Sequence, residues 1–151
     1  VQTEDFCVQR EYDEVVSEAG DAGAVVLFCG LVRELYDGSE SSADCAAVAT
    51  LTLEHYPGMT EKALAEIEAQ ACTRWPLLAT RIVHRVGELS AKDQIVLVLA
   101  ASPHRHAAFE AAEFMMDFLK SRAPFWKKQS SANGSIWIDS RESDAQSLQR
   151  W

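Results

Sequence analysis

The chain reads as an α+β domain: a mostly antiparallel sheet with two main packed helices and a late β-hairpin. Three observations carry that prediction. Short β-rich runs and two substantial helical patterns follow one another without the strict alternation of a doubly wound parallel sheet. Gln94 to Ala101 is the most continuously apolar run, as expected of a central strand. Near the C-terminal end, the turn signal Ser130 to Gly134 separates two extended runs. With 151 residues, 48% of them hydrophobic, the chain is large enough for one domain with a real core. Residues 1–151 are read as that single domain, with 1–22 as an N-terminal scaffold segment and 141–151 as a polar C-terminal tail.

In chain order, Val1 to Val8 alternates weakly and reads as an edge strand, and Glu11 to Ala19 as a helix that closes at Gly20. Gly23 to Gly30 is a β-rich run bounded by glycines, with Arg33 emerging just past it. Asp37 to Asp44 is small, polar and acidic, a connection that acts as plain linker or as a lid. Ala47 to Glu54 is the next strand. His55-Tyr-Pro-Gly-Met59 then leads into a helix from Thr60 to Cys72, with Ala63, Ile67 and Ala71 on one stripe. Thr60 carries no chemistry in this reading. Trp75-Pro76 ends the helix, Ala79 to Gly87 forms a strand holding His84 as a satisfied structural histidine, and Glu88 to Asp93 turns into the central strand. Ser135 to Asp139 alternates as the last strand.

Composition removes several functions. A formal charge of −9 argues against nonspecific nucleic-acid or anionic-membrane binding, since both depend on a positive field. No apolar run reaches membrane-spanning length and no signal-peptide pattern opens the chain, so a soluble, cytoplasmic protein is expected. Cys7, Cys29, Cys45 and Cys72 form no C-x-x-C pair and no zinc-ligand spacing with His55, His84, His104 or His106, so no metal is expected. Cys29 and Cys72 read as small buried residues.

The stretch from His104 to Lys128 concentrates the chemistry. Ala108, Ala112, Met115 and Leu119 recur at helical spacing and should face a sheet, leaving Glu110, Glu113 and Asp117 to water. Phe109, Phe114 and Phe118 read as packing residues. Ser102 as N-cap and Pro103 as first helical residue would put His104 and Arg105 where backbone N–H groups favour an anion. Lys120 falls in the last turn. Pro124 stops the helix and throws Phe125-Trp-Lys-Lys128 into an extended segment that folds back. Against an acidic chain, these cations suggest a small anionic ligand or an acidic peptide tail. Each also has an ordinary reading: Lys120 as a dipole partner or a surface pair with Asp117, His104 as a structural histidine, Arg33 as a solvated loop arginine.

Five motifs in order, Gly30-Leu-Val-Arg33, Leu53-Glu-His-Tyr-Pro-Gly-Met59, His84-Arg-Val-Gly87, Ser102-Pro-His-Arg105 and Leu119-Lys-Ser-Arg-Ala-Pro-Phe-Trp-Lys-Lys128, resemble the large, catalytic subunits of molybdopterin synthase. The match runs from about Gly23 to Trp151. The resemblance implies a hammerhead-like fold and a sulfurtransferase that builds the dithiolene of molybdopterin from cyclic pyranopterin monophosphate. It implies a sulfur donor too: a small ubiquitin-like partner with a C-terminal Gly-Gly thiocarboxylate, docked at each end of a homodimer to give a heterotetramer. Carried over by position, Lys120 and Lys127 become the catalytic lysines, and Arg33, His104, Arg105, Lys128 and Arg141 the substrate contacts. No cofactor or metal is implied for this subunit. Two positions depart from the family pattern. Leu31 replaces a basic residue found in some relatives, and Gln129 replaces a usual acidic one. A non-catalytic α+β module that binds an acidic or C-terminal peptide tail is the alternative.

Overall fold

The computed structural model describes residues 1–33, 50–131, 134–138 and 147–151. The elements run α1 (Val8–Ala19), β1 (Ala24–Leu31), β2 (Thr50–His55), α2 (Met59–Arg74), β3 (Ala79–His84), β4 (Gly87–Leu89), β5 (Gln94–Ser102), α3 (Arg105–Arg122), β6 (Phe125–Ser131) and β7 (Gly134–Ile138), then a 3₁₀ turn at Leu148–Arg150. Two antiparallel sheets result, one in the order β1-β5-β3 and one in the order β4-β2-β6-β7. This is the expected α+β class, with the late hairpin formed by β6 and β7.

The apolar run of β5 explains the layering. Side chains alternate across a strand, and both faces of β5 are buried. Val96, Val98 and Ala100 pack with Leu64, Ile67 and Ala71 of α2 and with Ala111, Phe114, Met115 and Leu119 of α3. Leu97, Leu99 and Ala101 face the other way, onto Val15 and Ala19 of α1 and onto Phe6. A smaller cluster of Val32, Leu51, Leu53 and Leu89 lines one face of the second sheet. Alanines at 107, 108, 111 and 112, all buried, let α3 lie close against the first sheet.

Several sequence expectations are revised. Val1 to Val8 forms no strand: only Gln2 pairs, in a bridge to Arg85, while Phe6 enters the core and α1 begins at Val8. The expected strand from Ala79 to Gly87 ends at His84: Arg85 bridges to Gln2, Val86 N–H donates to Gln2 O at 2.9 Å, and Gly87 then adopts φ +91°, a conformation open to glycine. That break passes the chain from the first sheet to the second. Ser102 ends β5 instead of capping α3; its buried hydroxyl donates to Pro76 O at 3.0 Å, and His104 is the N-cap residue. Phe109 is 62% exposed, and Cys7 and Cys72 are exposed as well. The connection at Asp37 to Asp44, the start of the predicted strand at Ala47, Cys45 and Arg141 lie outside the described residues.

The acidic residues of α3 are not simply solvated. Trp75 Nε1 donates to Glu110 at 2.8 Å, Trp151 Nε1 donates to Asp117 at 2.8 Å, and Arg150 pairs with Glu113. The Trp151 ring meets Trp75 and Phe114 edge-on, at centroid distances of 5.7 and 5.5 Å. The end of the presumed polar tail is thus a clasp on α2 and α3.

Candidate functional site

Strand direction sorts the predicted site residues. Both β1 and β3 run antiparallel to β5, pairing Leu31 with Gln94 and His84 with Val96. Arg33, just beyond β1, and His84, at the end of β3, therefore share the end of the sheet where β5 begins. The exit of β1 is pinned there, with Val32 N–H donating to Asp93 O at 2.9 Å and Lys92 N–H to Val32 O at 2.8 Å. α3 leaves the opposite end of β5 and packs back along the sheet, so its last turn, with Lys120, returns to the Arg33 end. The chain then turns at Pro124 and enters β6.

β6 alternates, and its neighbours show which way each lysine points. Phe125 and Lys127 lie on the face that carries Leu53, the buried cross-strand partner of Lys127. Lys128 points to the other face, its ammonium 5.7 Å from the ring centre of Trp137. Lys120 and Lys127 are both exposed at the rim of the core, one at the end of α3 and one near the start of β6. The structure thus places Arg33, Lys120 and Lys127 at one end of the molecule, with Lys128 turned onto the opposite face of its sheet.

His84 lies beneath this end. It is 6% exposed, its ring stacks on Phe125 at 3.8 Å, and its Nδ1 is 2.8 Å from Arg85 O. A carbonyl only accepts, so Nδ1 carries the proton and Nε2 is the bare nitrogen of the neutral ring. Burial lowers its pKa to about 4 against the opposing hydrogen bond to Arg85 O, and the positive charge of Lys127 adds to the lowering. The reading of His84 as a satisfied structural histidine stands, and its contact through Phe125 with the strand of Lys127 is new.

The connection between the two lysines is also held from α2. Thr60 is fully buried; its hydroxyl donates to Pro124 O at 3.1 Å and accepts from Tyr56 N–H at 3.2 Å. Sequence spacing gives Thr60 no role. Its partner is 64 residues away, a contact without a local signal.

His104 and Arg105 sit elsewhere. Both are exposed and line an open hollow of about 670 Å³ with Gly23, Pro103, His106 and Phe109. Gly23 is required at this corner: a Cβ there would collide with the carbonyl oxygen of Pro103. From His104 to Lys120 the helix rises about 24 Å at ~1.5 Å per residue. The two basic corners therefore stand a helix length apart. Among the described residues, no group of three or more His, Cys, Asp or Glu gathers to hold a metal ion, and no helix is long and apolar enough to cross a membrane.

Comparison with known proteins follows the same lines. A family model described as MoaE protein matches residues 1–122. The chain is 54% identical to the molybdopterin synthase catalytic subunit of Vibrio cholerae over 151 residues, covering 100% of this chain and 95% of that relative. It is 50% identical to the molybdopterin synthase catalytic subunit of Escherichia coli over 146 residues, covering 97% and 92%. Among solved structures it is similar to the molybdopterin biosynthesis MoaE protein from Burkholderia ambifaria, with a TM-score of 0.82 at 45% identity, over 99% of this chain and 94% of that one.

Proposed function

The chain belongs to the MoaE protein family, and from that premise we propose that it transfers sulfur from a small ubiquitin-like partner to cyclic pyranopterin monophosphate, building the dithiolene of molybdopterin. The donor is the thiocarboxylate at the partner's C-terminal Gly-Gly. For each sulfur delivered, a new carbon–sulfur bond forms on the pterin side chain in place of a carbon–oxygen bond, whose oxygen leaves once with the opening cyclic phosphate ester and once as water. The carbon–sulfur bond to the tail is replaced by a carbon–oxygen bond from water, and the tail leaves as a carboxylate.

Both reactants are anionic, so the first task is to bring like charges together. The observation that carries the reading is the collection of Arg33, Lys120 and Lys127 at one end of the fold. Fixed cations there offset the repulsion and stabilise charge that develops on the acyl oxygen. Lys120, on a rigid helix, is placed at the acyl carbon of the incoming tail. Lys127 acts on the pterin side, polarising or protonating the reacting groups. Holding two weak partners in register supplies the larger part of the acceleration. Lys128, stacked on Trp137, acts on the strand more than on the substrate. The free cysteines at 7, 29 and 72 suit the reducing cytoplasm, where we place the protein.

The helix length between the corners bears on assembly. One small substrate does not span about 24 Å, the rise of α3 from His104 to Lys120, so His104 and Arg105 of the same protomer do not join Lys120 around it. A homodimer supplies a second copy of that corner. β1 is an edge strand of its sheet and leaves Leu27, Phe28 and Leu31 exposed, an apolar edge of the kind proteins cover. The resulting reading is a homodimeric core whose sites each draw on both copies, with a small partner at each end.

The deciding experiment is single-turnover conversion of cyclic pyranopterin monophosphate by the protein and a thiocarboxylated partner. Lys120→Ala should lower the rate by about 100-fold or more while the complex still forms. Undiminished sulfur transfer by that variant would remove the central lysine from the mechanism, and a stable complex without product in the wild type would favour the peptide-binding module.

A further inference from the structure

We propose that Thr60 is a positioning residue for the lysine pair: its buried hydroxyl fixes the Pro124 turn and so sets how the last turn of α3 presents Lys120 to Lys127 on β6. The inference rests on the proposed role of those two lysines.

Lys120 and Lys127 belong to different elements, and their relative placement depends on the short connection through Ala123 and Pro124. That connection has few fastenings of its own. Ala123 N–H donates to Leu119 O at 3.3 Å and Phe125 N–H to Ala123 O at 2.9 Å, both local bonds that would travel with the turn. Pro124 has no N–H to give, so its carbonyl is its only backbone hydrogen-bonding group, and Thr60 takes it at 3.1 Å. Thr60 is itself immobile. It is fully buried in the first turn of α2, accepts from Tyr56 N–H at 3.2 Å, and its own N–H donates to Tyr56 O at 2.9 Å.

On the next residue, the ring of Phe125 is held against His84 at 3.8 Å. Consecutive residues of the turn are thus gripped by α2 and by the end of β3. The hydroxyl supplies direction, since a hydrogen bond fixes the carbonyl's aim where apolar packing alone leaves it free to swing. A valine in this place keeps the volume but strands both Pro124 O and Tyr56 N–H.

The test compares Thr60→Val with Thr60→Ser in the complex with thiocarboxylated partner. Single-turnover rates are measured at saturating partner, well below each variant's melting temperature, together with the yield of a short bis-succinimidyl cross-link between the Lys120 and Lys127 amines. Thr60→Val should lose about 10- to 100-fold in saturated rate, the scale expected of a small misplacement, with partner affinity unchanged and the cross-link yield altered. Thr60→Ser, which restores the hydroxyl, should stay within about two-fold of wild type on the same scale. A folded Thr60→Val with wild-type rate and cross-link yield overturns the proposal, as does equal impairment of both variants. If Lys120→Ala keeps full turnover, the lysine reading fails instead, and the cross-link yield still reports whether the hydroxyl sets the turn.

Discussion

His84 is the residue whose chemistry is most changed by its surroundings. Its pKa falls from 6.5 to about 4, chiefly through burial, so the folded protein holds it neutral where an unfolded chain would protonate it. The depressed value fixes the sign. Above pH ~6.5 both states are neutral and the group is silent; as pH falls from there toward 4, the unfolded state binds the proton first and stability declines. The full effect is roughly 3 kcal/mol, reached near pH 4. Thermal melts between pH 7.5 and 4.5 should show a steeper loss for wild type than for His84→Phe, which keeps an aromatic ring against Phe125 and has nothing to titrate. Parallel slopes would mean that His84 is not the group responsible. Burial of this histidine was legible from its place in a β-rich run. Its stack on Phe125, 41 positions later, was not, because pairing across sheets leaves no periodicity in the chain.

At the scale of elements, the sequence served best where one physical rule dominates. The unbroken apolar run of β5, the alanine-rich stripe of α3 and the stop at Pro124 each follow from burial or from backbone geometry, and all three are found. It served least where elements grip one another. Glu110, Glu113 and Asp117 looked like a solvated face by spacing, yet each takes a partner from Trp75 or the C-terminal turn. Trp151 is the centre of that clasp, joining Asp117, Trp75 and Phe114, while Arg74 donates to its carbonyl oxygen at 3.1 Å. Trp151→Ala should cost about 2–3 kcal/mol, at or just below the low end of the ~3–5 kcal/mol expected for removing a buried large aromatic, because the ring is only partly buried. In a chain of this size that lowers the melting temperature by roughly 5–10 °C. Sulfur transfer per folded molecule should be unchanged, since the ring packs on Trp75 and Phe114 and the clasp reaches along α3 only as far as Asp117, one turn short of Lys120, where the helix is held by its own backbone hydrogen bonds. A rate that falls in step with the loss of stability would instead tie the clasp to the site.

For the molecule as a whole, the arrangement of charge is the main lesson. A chain of net charge −9 places cations at both ends of one 18-residue helix, and spacing alone makes them look like one patch. The helical rise separates them by about 24 Å, and the fold cannot bend α3 to close that gap. If both corners serve one substrate, two copies of the chain must share it. Mixing two inactive variants tests this directly. Lys120→Ala keeps the His104 corner, and the double variant His104→Ala with Arg105→Ala keeps Lys120. Reassorted at random, half of the dimers are mixed, and each mixed dimer has one site with every group intact if the corner acts across the interface. Activity should then return to about one quarter of the wild-type level from two nearly silent parents, as two-fold symmetry requires. If the corner acts within its own protomer, no mixed dimer holds a complete site and the mixture stays silent. The measurement thus separates a shared site from two independent ones.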